Sequence, residues 1–322
     1  MKSRLWYFVM PIMAVFLGMV CSCENAGNSS EDEYASRMQT FVKDISLYAR
    51  GEKPGFIIIP QNGSELAFGN AEPAEGILAS YINAIDGIGI EELFYDGILN
   101  VDGERLSMLQ NLKISEPALT IMVSDYVGDG TKISDAIERS RNEGFIAFPR
   151  SVDNYDYKLI PVDPPAGVNT DSISSLAAAK NYLYLISTEE YTNKAEMITA
   201  IAKTNFDVVL IDLFFDGSPI TKTDIDTLKT KANGGSRLVI CYISIGSAEK
   251  YRYYWKPEWE RGNPSWIKKN YEGYPDEYWV EYWNEEWQAI IFGSDGSYIK
   301  QIINAGFDGV YLDNVEAYYF LN

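Results

Sequence analysis

The stretch Gly306–Tyr318, GFDGVYLDNVEAY, decides how this chain is read. Val310, Tyr311 and Leu312 are a short apolar run of the kind that makes a buried strand. Asp313 follows where the run stops, with Asn314 and Glu316 close behind. A carboxylate at the tip of a strand is aimed into whatever lies beyond the sheet. The competing reading is a turn residue or the N-cap of a following helix.

Working outward, seven similar runs precede this one: Phe56–Ile59, Gly87–Phe94, Leu119–Val123, Phe145–Phe148, Tyr182–Ile186, Val208–Leu213 and Leu238–Ile245. Helical patterns separate most of them, near Ala74–Ala84, Ile133–Asn142, Lys194–Lys203 and Trp287–Asn304. Ser151–Ala179 is irregular, with Pro161, Pro164, Pro165 and Gly167, and reads as a long connector, helical near its end. Short, near-continuous apolar strands alternating with helices predict an α/β fold with a parallel sheet covered by helices. Eight of them predict a closed (β/α)8 barrel, with an open doubly wound sheet as the alternative. An amphipathic helix over Tyr34–Arg50, with Met38, Phe41, Val42, Ile45 and Leu47 on or near one face, has no strand before it. The last strand has no helix after it. In a closed barrel that first helix fills the missing place, as in a circular permutation.

Barrels of this kind work at the C-terminal ends of their strands. Gln61 and Asn62 follow the first, Glu91 and Glu92 sit in the second, and Asp125 and Tyr126 follow the third. Arg150 follows the fourth and Ser187 the fifth. Asp212 and Asp216 mark the sixth, Ser244, Glu249 and Arg252 the seventh, and Asp313 the eighth. Singly, each could be a turn residue or a surface charge. Glu91 and Glu92 are strand neighbours and should point to opposite faces. A carboxyl held among apolar residues has a raised pKa, which suits a general acid. The alternative is a strand that ends early, with both glutamates on a wet loop.

Between Tyr251 and Gln288 lie Trp255, Trp259, Trp266, Trp279, Trp283 and Trp287, with many tyrosines. Prolines, glycines and the lack of apolar periodicity predict an aromatic-rich loop insertion at the rim. Flat rings there, Trp255 and Trp283 among them, suit stacking on sugar rings. The alternative is that they pack on one another to stiffen the loop.

Composition narrows the chemistry. The 322 residues include no histidine and three cysteines, and the formal net charge is −19. A serine or cysteine nucleophile activated by histidine is excluded. Zinc sites need histidine or several thiolates, so no metal or other cofactor is expected. Cys241, in the run LVICYISIG, reads as a buried thiol. Such acidity suits neither nucleic acid nor any other polyanion. Residues 1–22 read as a secretory signal, with Lys2 and Arg4 before the apolar run Leu5–Val20. Val20-Cys21-Ser22-Cys23 fits bacterial lipoprotein processing with Cys23 lipidated. Residues 23–33 then form an acidic tether and 34–322 a single domain. The expected location is the bacterial cell envelope, held only by the lipid anchor, and the expected state is a monomer.

The runs CYISIGSAEKYRYYW, NPSW, VEYWNEEWQAIIF and GFDGVYLDNVEAY resemble glycoside hydrolase family 114, secreted barrel proteins that include endo-α-1,4-polygalactosaminidases. FIIIPQNGSEL, IDGIGIEELFYDG and VSDYVGDG resemble that family's C-terminal half, yet stand first here. The half from NYLYLIS through VVLIDLFFDGS to the end resembles its N-terminal half. The resemblance thus covers nearly everything after the tether, in swapped order. It implies Asp313 as nucleophile and Glu91 as acid/base, acting on an α-linked amino-sugar polymer of galactosaminogalactan type. It implies Asp212, Glu249, Asn62 and Asp125 as sugar-binding residues; the rim adds Ser244, Arg252, Gln61, Tyr126 and Arg150. Where the family often has Glu, Asp and Asp, this chain has Ser247, Lys250 and Glu316. Those departures keep open a catalytically inactive glycan-binding lipoprotein. A third reading is an oxygen-ligand metal site of Asp212, Asp313 and Glu316.

Overall fold

The computed structural model describes residues 30–152 and 157–321. The signal, Cys23 and most of the tether lie outside the described residues. Eight strands carry the fold: β1 Ile57–Pro60, β2 Gly87–Asp96, β3 Thr120–Tyr126, β4 Ile146–Ala147, β5 Tyr182–Tyr184, β6 Val208–Asp212, β7 Leu238–Ser244 and β8 Gly309–Asp313. They form two parallel ladders, β1–β8–β7–β6–β5 and β2–β3–β4. A parallel bridge between Gln61 and Gly89 joins the two. Around it, Asn62 N–H donates to the Gly89 carbonyl at 2.7 Å and Asp86 N–H to that of Ile58 at 2.8 Å. Among the described residues no ladder joins β4 to β5. There the Phe148 ring lies 5.7 Å from Tyr182, and the Tyr157 carbonyl accepts the Ile186 N–H at 3.0 Å. The fold is mixed α/β with parallel sheets, as expected. The strands form where they do because their runs are apolar on both faces; every residue of β7 is buried.

One device recurs at the strand starts. Asp86, Asp207 and Asp308 stand immediately before β2, β6 and β8. Each carboxylate accepts a backbone N–H from a neighbouring segment: Ile58 at 2.8 Å, Lys180 at 2.9 Å and Val239 at 3.0 Å. Each also meets a cation: Arg50 at 2.8 Å, Lys231 at 2.9 Å and Lys229 at 2.8 Å. The same interval along the three strands leads from these acids to Glu91, Asp212 and Asp313. The staples therefore set the height at which the rim carboxylates emerge.

The N-terminal helix, Ser30–Glu52, buries Met38, Phe41, Val42 and Ile45 but leaves Leu47 exposed. It packs on the C-terminal part of the chain: Tyr282 Oη donates to the Tyr34 carbonyl at 2.7 Å, and Phe41 lies 6.1 Å from Phe292. Arg50 and Lys53 tie its other end to Asp86 and to the Phe307 carbonyl, the latter at 2.6 Å.

Several local expectations are corrected. The helix expected near Ala74–Ala84 shrinks to Ala79–Ile82 after a 3-10 turn at Pro73–Glu75. The one expected near Trp287–Asn304 is two, Glu285–Ile291 and Tyr298–Ala305, broken where Gly293 takes φ 97°. Three helices escape sequence reading, one of them Ala317–Phe320 after the last strand, where none was expected. Gly103–Ser115 is capped by Asp102, and Lys222–Leu228 by a Thr221–Asp224 capping box. The rim insertion is no irregular loop but an antiparallel sheet of Ser247–Glu249, Glu277–Val280 and Ile267–Asn270.

The Asp207–Lys231 pair is fully buried on both sides. Removing one partner leaves an uncompensated buried charge, costing about 3–5 kcal/mol. Asp207→Ala should lower the unfolding free energy by that order in denaturant titration; a loss under about 1 kcal/mol would show that the staple contributes little.

Candidate active site

The C-terminal strand ends open on a cleft of about 1030 Å³. Asp313, at the end of β8, lines it. Its Oδ2 accepts from Tyr242 Oη at 2.5 Å and its Oδ1 from the N–H of Asn314 at 2.7 Å. Asn314 sits in the left-handed region, φ 60°, which turns its amide back under the strand. From there its Nδ2 donates to Ser244 Oγ at 2.9 Å and Ser247 Oγ at 3.0 Å, while its Oδ1 accepts from Tyr271 at 3.1 Å. Burial lifts the Asp313 pKa to about 7; the Tyr242 hydrogen bond opposes the rise and the charge of Glu91 adds to it.

Glu91 lines the same cleft. The strand alternation expected of Glu91 and Glu92 is replaced by a kink: Glu92 takes φ 48°, and the β2–β3 register shifts between Glu91 and Asp96. Arg105 clasps the kink by donating to the carbonyls of Glu91, at 2.9 Å, and Glu92, at 3.1 Å. Glu92 turns to an ion pair with Arg150 at 2.5 Å, and burial together with Glu91 raises its pKa to about 7. Glu91 instead receives the Tyr157 hydroxyl on Oε1, and its N–H is held by Asn62 Oδ1 at 3.1 Å. The two glutamates therefore do different work.

The far wall holds an internal ion cluster. Arg252 donates to Glu249 Oε2 at 2.5 Å and to Asp212 Oδ2 at 2.6 Å, with Tyr251 also bonded to Glu249. All three ionic groups line the cleft. Burial still raises the Asp212 pKa against the pull of Arg252. Ser247, the first of the three departures, hands its hydroxyl to Glu277, a cleft-lining residue that sequence reading missed. Burial first, then Glu249, pushes the Glu277 pKa well up. Lys250, the second departure, faces outward to Asp276 at 3.6 Å. Glu316 lines the cleft with its pKa raised to about 7 by burial and by Glu65.

The cleft thus gathers Asp313, Glu91, Asp212, Asp216, Glu249, Arg252, Ser187, Asn62 and Gln61. It does not gather the rest. Ser244 is buried beneath it in the Ser247–Asn314 network. Asp125 is buried, accepting from the Phe94 N–H at 3.1 Å, with its pKa lifted to about 6 by burial. Arg150 stands behind, on Glu92, with its guanidinium carbon 5.8 Å from the Tyr126 ring, and neither lines the cleft. Trp255 stacks on Tyr278 at 5.6 Å, and Trp283 packs on Tyr34 at 4.9 Å under Arg37 at 4.6 Å. Among the described residues no tryptophan lines the cleft; the rings pack on one another because their sheet needs a core. Tyrosines line it instead: Tyr157, Tyr184, Tyr242, Tyr251, Tyr253, Tyr271 and Tyr274. Tyr184 and Tyr242 sit on strands and look like core in sequence, Tyr157 comes from the connector, and the other four belong to the rim insertion. Among the described residues no three acids, thiols or imidazoles are placed to hold a metal, so Asp212, Asp313 and Glu316 share the cleft without forming one.

A pKa raised to about 7 by folding means Asp313 stabilises the fold below about pH 4 and loses that contribution as pH rises through about 7. Asp313→Asn escapes the loss. Its melting temperature should match wild type at pH 4 and exceed it at pH 8, by a gain on the order of 2 kcal/mol once cleft solvent is allowed for. A variant equally or less stable at pH 8 would contradict the assigned burial.

Residues 175–322 match the model described as glycoside-hydrolase family GH114. Similar curated proteins include an uncharacterized protein of Thermotoga maritima, 33% identical over 118 residues, covering 37% of this chain and 35% of that protein. Another, of Methanocaldococcus jannaschii, is 34% identical over 150 residues, 47% of this chain and 41% of that protein. A third, of Deinococcus radiodurans, is 34% identical over 122 residues, 38% and 37% respectively. The match spans well under half the length of each relative. The family resemblance drawn from the motifs is thereby shown over residues 175–322, which carry the pattern of glycoside-hydrolase family GH114.

Proposed function

We propose that this protein is a retaining glycosidase that cuts an α-linked amino-sugar polymer of galactosaminogalactan type, with Asp313 as nucleophile and Glu91 as acid/base. The observation that carries the reading is the meeting of these two acids in one cleft, each held by one tyrosine hydroxyl. A carboxylate of Asp313 attacks the anomeric carbon and forms an ester there as the glycosidic C–O bond breaks. The departing oxygen takes the proton of Glu91. Water then attacks the same carbon, gives its proton to Glu91 and frees Asp313. The charge of the cleft supports the substrate class. Glu189 and Asp216 join the acids already named in the lining, where, among the described residues, Arg252 is the one cation and is committed to Glu249 and Asp212. Such a wall favours a chain bearing free ammonium groups.

The scaffold of this reading is a closed, circularly permuted (β/α)8 barrel. The β1–β8 ladder and the Gln61–Gly89 bridge support it, as does the order of the motifs, with FIIIPQNGSEL and IDGIGIEELFYDG ahead of the matched region. The cleavage pattern at Cys23 supports an envelope lipoprotein.

The test is release of reducing ends from the deacetylated polymer. Asp313→Asn and Glu91→Gln should each lose on the order of 10³-fold in kcat/KM, with the first product an α-anomer. Wild-type kcat/KM should rise as pH passes about 7 and Asp313 ionises. Near wild-type rates in both variants, or a β-anomer first, would overturn the assignment.

A further inference from the structure

Tyr157 comes from the connector between β4 and β5, which sequence reading set aside. Its place is heavily determined. It takes φ 45°, a conformation that a bulky side chain adopts only where its surroundings impose it. Its carbonyl accepts the Ile186 N–H at 3.0 Å. Its ring stacks on Tyr184 with centroids 3.7 Å apart and planes at 10°, and the guanidinium carbon of Arg150 lies 5.0 Å from its centroid. Tyr157, Ser124 and Arg150 are all buried.

Among the described residues the hydroxyl has these two partners. Ser124 Oγ donates to it at 3.0 Å, and it donates to Glu91 Oε1. Arg150 Nη1 in turn lies 3.3 Å from the Ser124 carbonyl and 3.5 Å from Ser124 Oγ. A guanidinium only donates, and Glu91 Oε1, with the acid's proton carried on Oε2, only accepts. With those ends fixed, the hydroxyls between them can point only one way, from Arg150 through Ser124 and Tyr157 to Glu91. Donors in such a chain polarise one another and strengthen the last bond.

We propose that Arg150, Ser124 and Tyr157 form a positioning relay for Glu91, engaging its Oε1 and leaving Oε2 to the scissile oxygen. This rests on the acid/base reading of Glu91. None of the three need touch substrate; Tyr157 acts by holding Glu91 in register. The relay also gives Arg150, which stands outside the lining, a part in the chemistry.

Loss of the relay impairs proton delivery, which matters only when the leaving group needs a proton. The test compares kcat/KM, which reports the glycosylation step, on an α-1,4-galactosamine oligosaccharide and on its dinitrophenyl glycoside, for wild type, Tyr157→Phe and Ser124→Ala. Tyr157→Phe should lose about tenfold on the oligosaccharide and under about twofold on the dinitrophenyl glycoside. Ser124→Ala, which removes a single hydroxyl, should show the same pattern in smaller measure. Equal losses on both substrates, or none on either, would overturn the relay while leaving the glycosidase reading intact. A wild-type protein inert on both would overturn the glycosidase reading, and the relay with it.

Discussion

The pairing of β1 with β8 is the constraint on which the rest depends. Ile57–Pro60 and Gly309–Leu312 lie near opposite ends of the chain, yet stand in register as neighbours in one sheet. β8 has β7 on its other side, and the Gln61–Gly89 bridge carries the arrangement on to β2. Asp313 and Glu91 can share a cleft only because of this sequence of contacts. The aspartates at the bases of β2, β6 and β8 complete the geometry, since each pins the start of a strand whose other end carries a rim carboxylate.

Burying acids is costly, and the site meets the cost in two ways. On one wall, Arg252 compensates Glu249 and Asp212 in a hydrogen-bonded cluster. Around Asp313, among the described residues, no such cation is paired with it; a phenol and a backbone N–H hold it, and its proton is retained up to about pH 7. Tyrosine suits both places, because its ring fills the interior while its hydroxyl reaches the rim. Tyr184, stacked under Tyr157 and bonded to Gln61 at 3.1 Å, shows how floor and rim are built from the same residues. Tyr311 fills the interior so closely that Gly89 has no room for a Cβ beside its hydroxyl.

What sequence could reveal follows from what is local. An apolar run ending in a carboxylate is local, so Asp313, Asp212 and the strand order were readable. The kink at Glu92 is not, because it depends on Arg105 from the following helix. Tyr157 was missed because it lies in the irregular connector, Tyr242 because a tyrosine in an apolar run looks like core, and Glu277 because a glutamate beside Asp276 in a stretch of turn residues looks like surface. The tryptophans misled for the converse reason. Their density suggested a sugar platform, whereas Trp266 and Trp287 are the buried core of a small sheet that needed one. Arg150, Asp125 and Ser244 follow strands, as rim residues do, but each turns toward protein groups rather than toward the opening.

The most direct test of the account is to trap the reaction on the protein. A 5-fluoro galactosaminyl fluoride of α configuration should form a long-lived ester, and mass spectrometry of the digested protein should find the added sugar on the peptide containing Asp313. An adduct on another carboxylate, or steady turnover of the polymer with no adduct anywhere, would contradict it.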